Sequence, residues 1–117
     1  MKKTALLVFL YLLSGICYSQ SWIRVNQIGY LEDDLKVGVW LSSENRQITE
    51  FELIDNTSGV TVYHGKKILQ TGKQPAFQSS ARLYFSDFKT PGIYYLKTGD
   101  VKSVPFRIGN TIYAGAA

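Results

Sequence analysis

The sequence predicts an all-β domain built as a two-sheet sandwich, and three observations carry that reading. Apolar residues alternate with polar ones at period two in short runs; Gly, Pro, Asn, Asp and Ser clusters separate the runs; and no stretch keeps a convincing helical period. The 117 residues suffice for one domain and a short tag, not for two independent cores.

The chain opens on Met1-Lys2-Lys3-Thr4 and the apolar run Ala5–Leu13, too short and too early for a membrane span. This is the layout of a secretory signal, with cleavage expected after Ser19 because Cys17-Tyr18-Ser19 puts small residues before the scissile bond. Lipoprotein anchoring at Cys17 is the weaker alternative, since Ile16 stands where such boxes want a small residue. The expected location is therefore secreted or periplasmic, with no membrane attachment once the signal is cut. Cleavage also removes Cys17, the only cysteine, so the mature core has neither a disulfide nor a thiolate metal site. Losing Lys2 and Lys3 lowers the formal charge from +4 to about +2, too little to argue for nucleic acid. Lys66, Lys67 and Lys73 form the densest basic stretch, but without interleaved aromatics they read as a solvated loop.

The expected strands are, in order, Trp22–Gln27, Lys36–Leu41, Phe51–Asp55, Val60–His64, Arg82–Ser86, Ile93–Lys97 and Val104–Ile108, with Ile68–Thr71 as a weak eighth. Seven to eight short antiparallel strands fit an immunoglobulin-like β-sandwich. Asp55–Gly59 and Lys97–Asp100 are loops whose glycine supplies the positive φ of a hairpin turn. Pro91-Gly92 fits the central pair of a type II turn. Pro105 cannot donate to a ladder, so the last strand lies at a sheet edge or carries a bulge. The sandwich is expected over residues 20–110, after a signal at 1–19. Residues 111–117 read as the start of a connection to something longer, because Ile112–Ala117 is mostly small, helix-favouring residues with no cap.

Alternation assigns Ile23, Val25, Val37, Val39, Leu41, Phe51, Leu53, Val60, Val62, Leu83, Phe85, Tyr94, Leu96, Val104, Phe106 and Ile108 to inward faces. Tyr94, just after Pro91-Gly92, is a candidate tyrosine corner whose hydroxyl bonds backbone upstream. Trp40, Tyr63, Tyr84 and Tyr95 then point outward, more aromatic surface than an isolated sandwich leaves wet. Trp40 and Tyr84 fall on strands that lie side by side in the seven-strand arrangement, so the expectation is a patch that docks a neighbouring domain. A sugar-stacking platform is the rival, and scattered surface aromatics the plain alternative.

Chemistry is sparse. Glycoside hydrolysis needs two carboxyl groups across the scissile bond, about 5–9.5 Å apart depending on stereochemistry. Glu32, Asp33 and Asp34 are adjacent in a turn-like stretch and read as a solvated loop. His64 is the sole histidine, so it has no partner for a zinc cage or a Cys/His couple and is expected at a strand end on the surface. No Gly-x-Ser-x-Gly elbow, phosphate loop or calcium loop is present. The expectation is no catalytic centre, no cofactor and no metal.

The string Ile23-Arg24-Val25-Asn26-Gln27-Ile28-Gly29-Tyr30 resembles the opening of the N-terminal immunoglobulin-like domain of glycoside hydrolase family nine cellulases. Asp34–Val39, Phe51–Asp55, Ser58–Gly65, Phe85–Phe88, Pro91–Leu96 and Ser103–Gly109 continue the likeness in order, over nearly the whole mature chain. The resemblance implies a module that packs on and supports an α/α-barrel catalytic domain of the same protein. That barrel would cleave β-1,4-glucosidic bonds with inversion, using an Asp base and a Glu acid, and no position here matches those acids. It also implies a role in polysaccharide breakdown, with a β-glucan as a further candidate partner. The alternative is a free-standing secreted carbohydrate-binding or adhesion module.

Overall fold

A computed structural model describes residues 20–110. The expected signal, Cys17 and the connection at 111–117 lie outside the described residues. Among the described residues, nine strands form two antiparallel sheets: β1 (Ser21–Arg24), β2 (Val37–Ser42), β3 (Phe51–Asp55), β4 (Thr61–Gly65), β5 (Ile68–Gln70), β6 (Ser79–Tyr84), β7 (Gly92–Thr98), β8 (Val101–Lys102) and β9 (Phe106–Ile108). One sheet runs β1-β2-β6-β5; the other runs β4-β3-β7-β8, with β9 also on β7. This is an all-β sandwich, and the strand holding Trp40 does lie beside the strand holding Tyr84.

The interior is a single cluster that includes Ile23, Trp40, Phe51, Leu53, Leu83, Phe85, Leu96, Phe106 and Ile108. Strand β2 is the main departure from the expected faces. Trp40, expected outside, is 1% exposed and belongs to the core. Simple alternation failed because β2 is apolar on both faces, and bulk alone pointed to Val37, Val39 and Leu41. Space decides otherwise. A Cβ on Gly38 would lie 2.5 Å from Leu96 Cδ1, so the facing sheet already fills that position. Trp40 sits opposite Ala81, whose small side chain leaves room for the indole. Small and large residues thus alternate so that the layers interlock. Val37 and Val39 are left half-exposed on the outer face.

Strand β4 is also turned over relative to expectation. A register shift between Leu53 and Ile54 makes Leu53 face Tyr63 and Ile54 face Thr61, leaving Val62 as the extra residue. Tyr63, paired with the buried Leu53, turns inward against the rings of Phe51 and Phe88, while Val60 and Val62 are exposed. Gly65 is buried because the Phe51 ring occupies the space of its missing side chain.

The last expected strand, Val104–Ile108, is shortened to β9, and a separate short strand, β8, precedes it. Lys97 pairs with Lys102 but Tyr94 pairs with Phe106, a shift of one residue that turns Val104 outward next to Pro105. Ser103 repairs the ladder: Leu96 N donates to its hydroxyl at 2.9 Å, and Ser103 N donates to the Leu96 carbonyl at 2.8 Å. The hairpin glycines Gly59 and Gly99 have φ of 75° and 57°. Pro91-Gly92 is not a type II turn; Gly92 opens β7 with φ 157°, a value that L side chains rarely adopt. Its lack of a side chain serves a different end, since a Cβ there would lie 2.7 Å from Tyr94 Oη. The Tyr94 hydroxyl passes over it and donates to the Thr90 carbonyl at 3.0 Å, with the Pro91 carbonyl 3.1 Å away.

Candidate docking surface

Between β1 and β2 the chain makes a long loop, residues 25–36, held by polar clamps. At its start the Asn26 side chain accepts from Ile28 N at 3.1 Å, and the Asn26 carbonyl accepts from Gly29 N at 3.0 Å. Gly29 has φ 114°, a conformation that L side chains rarely adopt. The chain then turns so that Tyr30 folds back beneath the loop. Its ring meets Phe85 and Phe106 edge-on at 5.3 and 5.4 Å. Its hydroxyl accepts from Asn26 N at 2.9 Å and donates to the Val37 carbonyl at 2.8 Å, bridging the two ends of the loop. Burial raises the pKa of that hydroxyl, and the Asn26 N–H contact pulls it partly back.

The second clamp is Lys36, whose residue is fully buried. Its ammonium donates to the backbone carbonyls of Glu32, Asp34 (3.2 Å) and Ser86 (3.4 Å). Three carbonyl dipoles thus replace water around a buried cation. Burial lowers the Lys36 pKa, and Lys89 lowers it further; the carboxylates of Asp33, Asp34 and Glu32 oppose both. The acidic stretch therefore matters here through its backbone carbonyls. Of its carboxylates, Asp33 pairs with Lys89 at 3.4 Å on the exposed surface.

A loop pinned from below presents its apolar residues upward. Leu35 is 68% exposed and Ile28 57%. Together with the outer face of β2, the loop borders a groove of about 410 Å³ lined by Arg24, Val25, Tyr30, Leu35, Val37 and Val39, among others. The groove lies beside the end of β9. Tyr30 N donates to the Arg107 carbonyl at 2.9 Å, Gly109 N donates to the Tyr30 carbonyl at 3.1 Å, and Tyr30 bridges Ile108 in parallel.

The residues singled out from sequence do not converge. Trp40 is sealed inside, whereas Tyr84 and Tyr95 lie half-buried on the outer faces of opposite sheets, Tyr95 with the Lys102 ammonium 5.7 Å from its ring. His64 is exposed in β4. Lys67 makes a surface pair with Asp87 at 3.8 Å. Among the described residues no group of three His, Cys, Asp or Glu could hold a metal ion. Sequence reasoning missed Tyr30 and Lys36 as anchors. The available signal was a lone lysine set between Leu35 and Val37 at the entrance of a strand.

The sequence matches the cellulase N-terminal Ig-like domain family over residues 18–103. The chain belongs to that family. No curated protein matches it. Among solved structures, a Bacteroides ovatus GH9 protein aligns to this Ig-like domain with TM-score 0.65 and 30% identity, covering 80% of this chain and 16% of its own. A metagenome-derived glycoside hydrolase family 9 endoglucanase gives TM-score 0.63 at 22% identity, over 76% of this chain and 18% of its own. A thermostable endoglucanase from Alicyclobacillus acidocaldarius, solved as a single mutant, gives 0.61 at 22% identity, over 80% and 16%. The last two show likeness of fold. The Ig-like domain thus spans 16–18% of the length of these proteins.

Proposed function

We propose that this chain is the non-catalytic N-terminal module of an exported family nine glycoside hydrolase, and that it packs on and supports a catalytic barrel acting on β-1,4-glucan. The observation that carries this reading is the match of residues 18–103 to a domain defined by its place at the N-terminus of cellulases. The 30% identity to a GH9 protein more than five times the length of the matched region supports it. Export rests on the charged and apolar opening of the sequence.

The test is to produce a family nine enzyme carrying this chain with and without it. Loss of the module should lower the barrel's unfolding temperature and its hydrolysis of carboxymethyl-cellulose at elevated temperature, whereas the chain alone should hydrolyse nothing. Unchanged barrel stability would sink the supporting role, and hydrolysis by the chain alone would refute its lack of a catalytic centre.

One observation favours the rival reading of a sugar-binding module. Trp22, 40% exposed, borders a groove of about 620 Å³ with Arg46, Asp100 and Lys102. Retention of the purified chain on insoluble β-glucan, abolished by Trp22→Ala, would support that reading instead.

A further inference from the structure

We infer that the docking surface of this module is the clamped 25–36 loop with the outer face of β2, centred on Ile28, Leu35, Val37 and Val39, and that its occupant is the catalytic domain C-terminal to the module. This rests on the function proposed above and specifies the face that serves it.

Three observations converge on this face. The first is the tether. The family's domain is N-terminal, so the catalytic domain is joined through the end of β9, where Gly109 is hydrogen-bonded to Tyr30 at the border of the groove. A partner joined there meets this face at high effective concentration, while the opposite end of the sandwich lies several strand residues away. The second is composition. Val37 and Val39 make β2 apolar on its outer side as well as its inner side, the pattern of a strand covered on both faces. Leu35 lines the groove with them, and Ile28, next to the lining residue Gly29 in the same loop, is with Leu35 among the most exposed large apolar side chains. The third is preorganisation. The Asn26, Tyr30 and Lys36 clamps fix the loop before any partner arrives, so docking orders little further backbone. Arg24 and Asp34 give the groove a polar rim of both signs.

The experiment replaces the matched segment of the Bacteroides ovatus GH9 protein with this chain and follows thermal unfolding of its catalytic part. The unsubstituted hybrid should be more stable than the same enzyme lacking the segment. Ile28→Asp with Leu35→Asp should abolish that stabilisation, because each places an unpaired charge in the contact. Leu69→Asp, on the exposed outer side of β5, should leave it intact. Circular dichroism of the separate chain should show both variants folded, since all three positions are exposed.

A truncated enzyme as stable as the parent overturns the supporting function itself. If truncation destabilises and the wild-type hybrid restores stability, but the Ile28/Leu35 variant restores it equally, only the surface assignment falls. Loss with Leu69→Asp alone, or a wild-type hybrid that restores nothing, also overturns the assignment.

Discussion

The interior around Trp40 and the loop between β1 and β2 are stabilised by opposite means. The interior is sealed by apolar packing, with Leu53, Leu83, Phe85 and Leu96 all 0% exposed. The loop turns this inside out, since its buried members are a tyrosine hydroxyl and a lysine ammonium, and its exposed members are isoleucine and leucine. Packing makes a surface only as a by-product, whereas polar clamps hold a loop rigid without consuming its apolar side chains. Mutation should therefore separate the two regions: interior changes cost folding, and loop-tip changes cost association.

The largest effect should come from Trp40→Ala, which empties the volume opposite Ala81 and should cost about 3–5 kcal/mol in urea unfolding. A near-zero cost would put the indole back at the surface. One feature tempers the interior: Trp40 Nε1 has no hydrogen-bond partner among the described residues, so Trp40→Phe should cost less than its lost volume suggests.

Next comes Lys36→Met, which leaves the Glu32, Asp34 and Ser86 carbonyls without their donor, at about 1–3 kcal/mol. Amide exchange should quicken selectively across residues 31–36. A neutral result with unchanged exchange would show that packing, not the ammonium, holds the loop.

A smaller, pH-dependent effect concerns the two backbone-clamping tyrosines. Burial raises the pKa of both Tyr30 and Tyr94 above the ordinary 10.0; near Tyr94 the Asp55 charge adds to it. As pH passes about 10, the unfolded chain loses these protons first and then binds fewer than the folded one, so stability falls. The contribution is whole below that pH and is lost as pH rises through the raised values. Tyr94→Phe should flatten this alkaline loss between about pH 9 and pH 11 while removing the Thr90 contact, worth roughly 1 kcal/mol. An unchanged alkaline slope would contradict the assignment. Least of all, Ile28→Ser and Leu35→Ser should move the isolated chain's stability by no more than about 0.5 kcal/mol; larger losses would mean these residues already pack inside the module.

Strand existence was legible in the sequence because period-two alternation and turn residues are local signals, and even the weak strand at Ile68 is present. Which face turns inward was legible only where one face was plainly polar. On β2 both faces are apolar, and the choice depends on Leu96 reaching across to Gly38, a contact between positions far apart in sequence. On β4 it is Tyr63 that faces the buried Leu53, which leaves Val62 outward; before β9 a one-residue shift inverts the parity of Val104, and only Pro105 gave warning of it. The loop clamps were hidden for another reason. Lys36 reads as surface by type, and its partners are carbonyls that every residue carries, so beyond its place between Leu35 and Val37 no side-chain pattern advertises them.

The parallel bridge between Tyr30 and Ile108 also has a mechanical meaning. Because Gly109 is still hydrogen-bonded to the Tyr30 carbonyl, the backbone has no hinge before Asn110. A pull on the end of β9 would load the Tyr30 bonds and the β7 ladder together, so the first loop and the last strand would bear it as one joint.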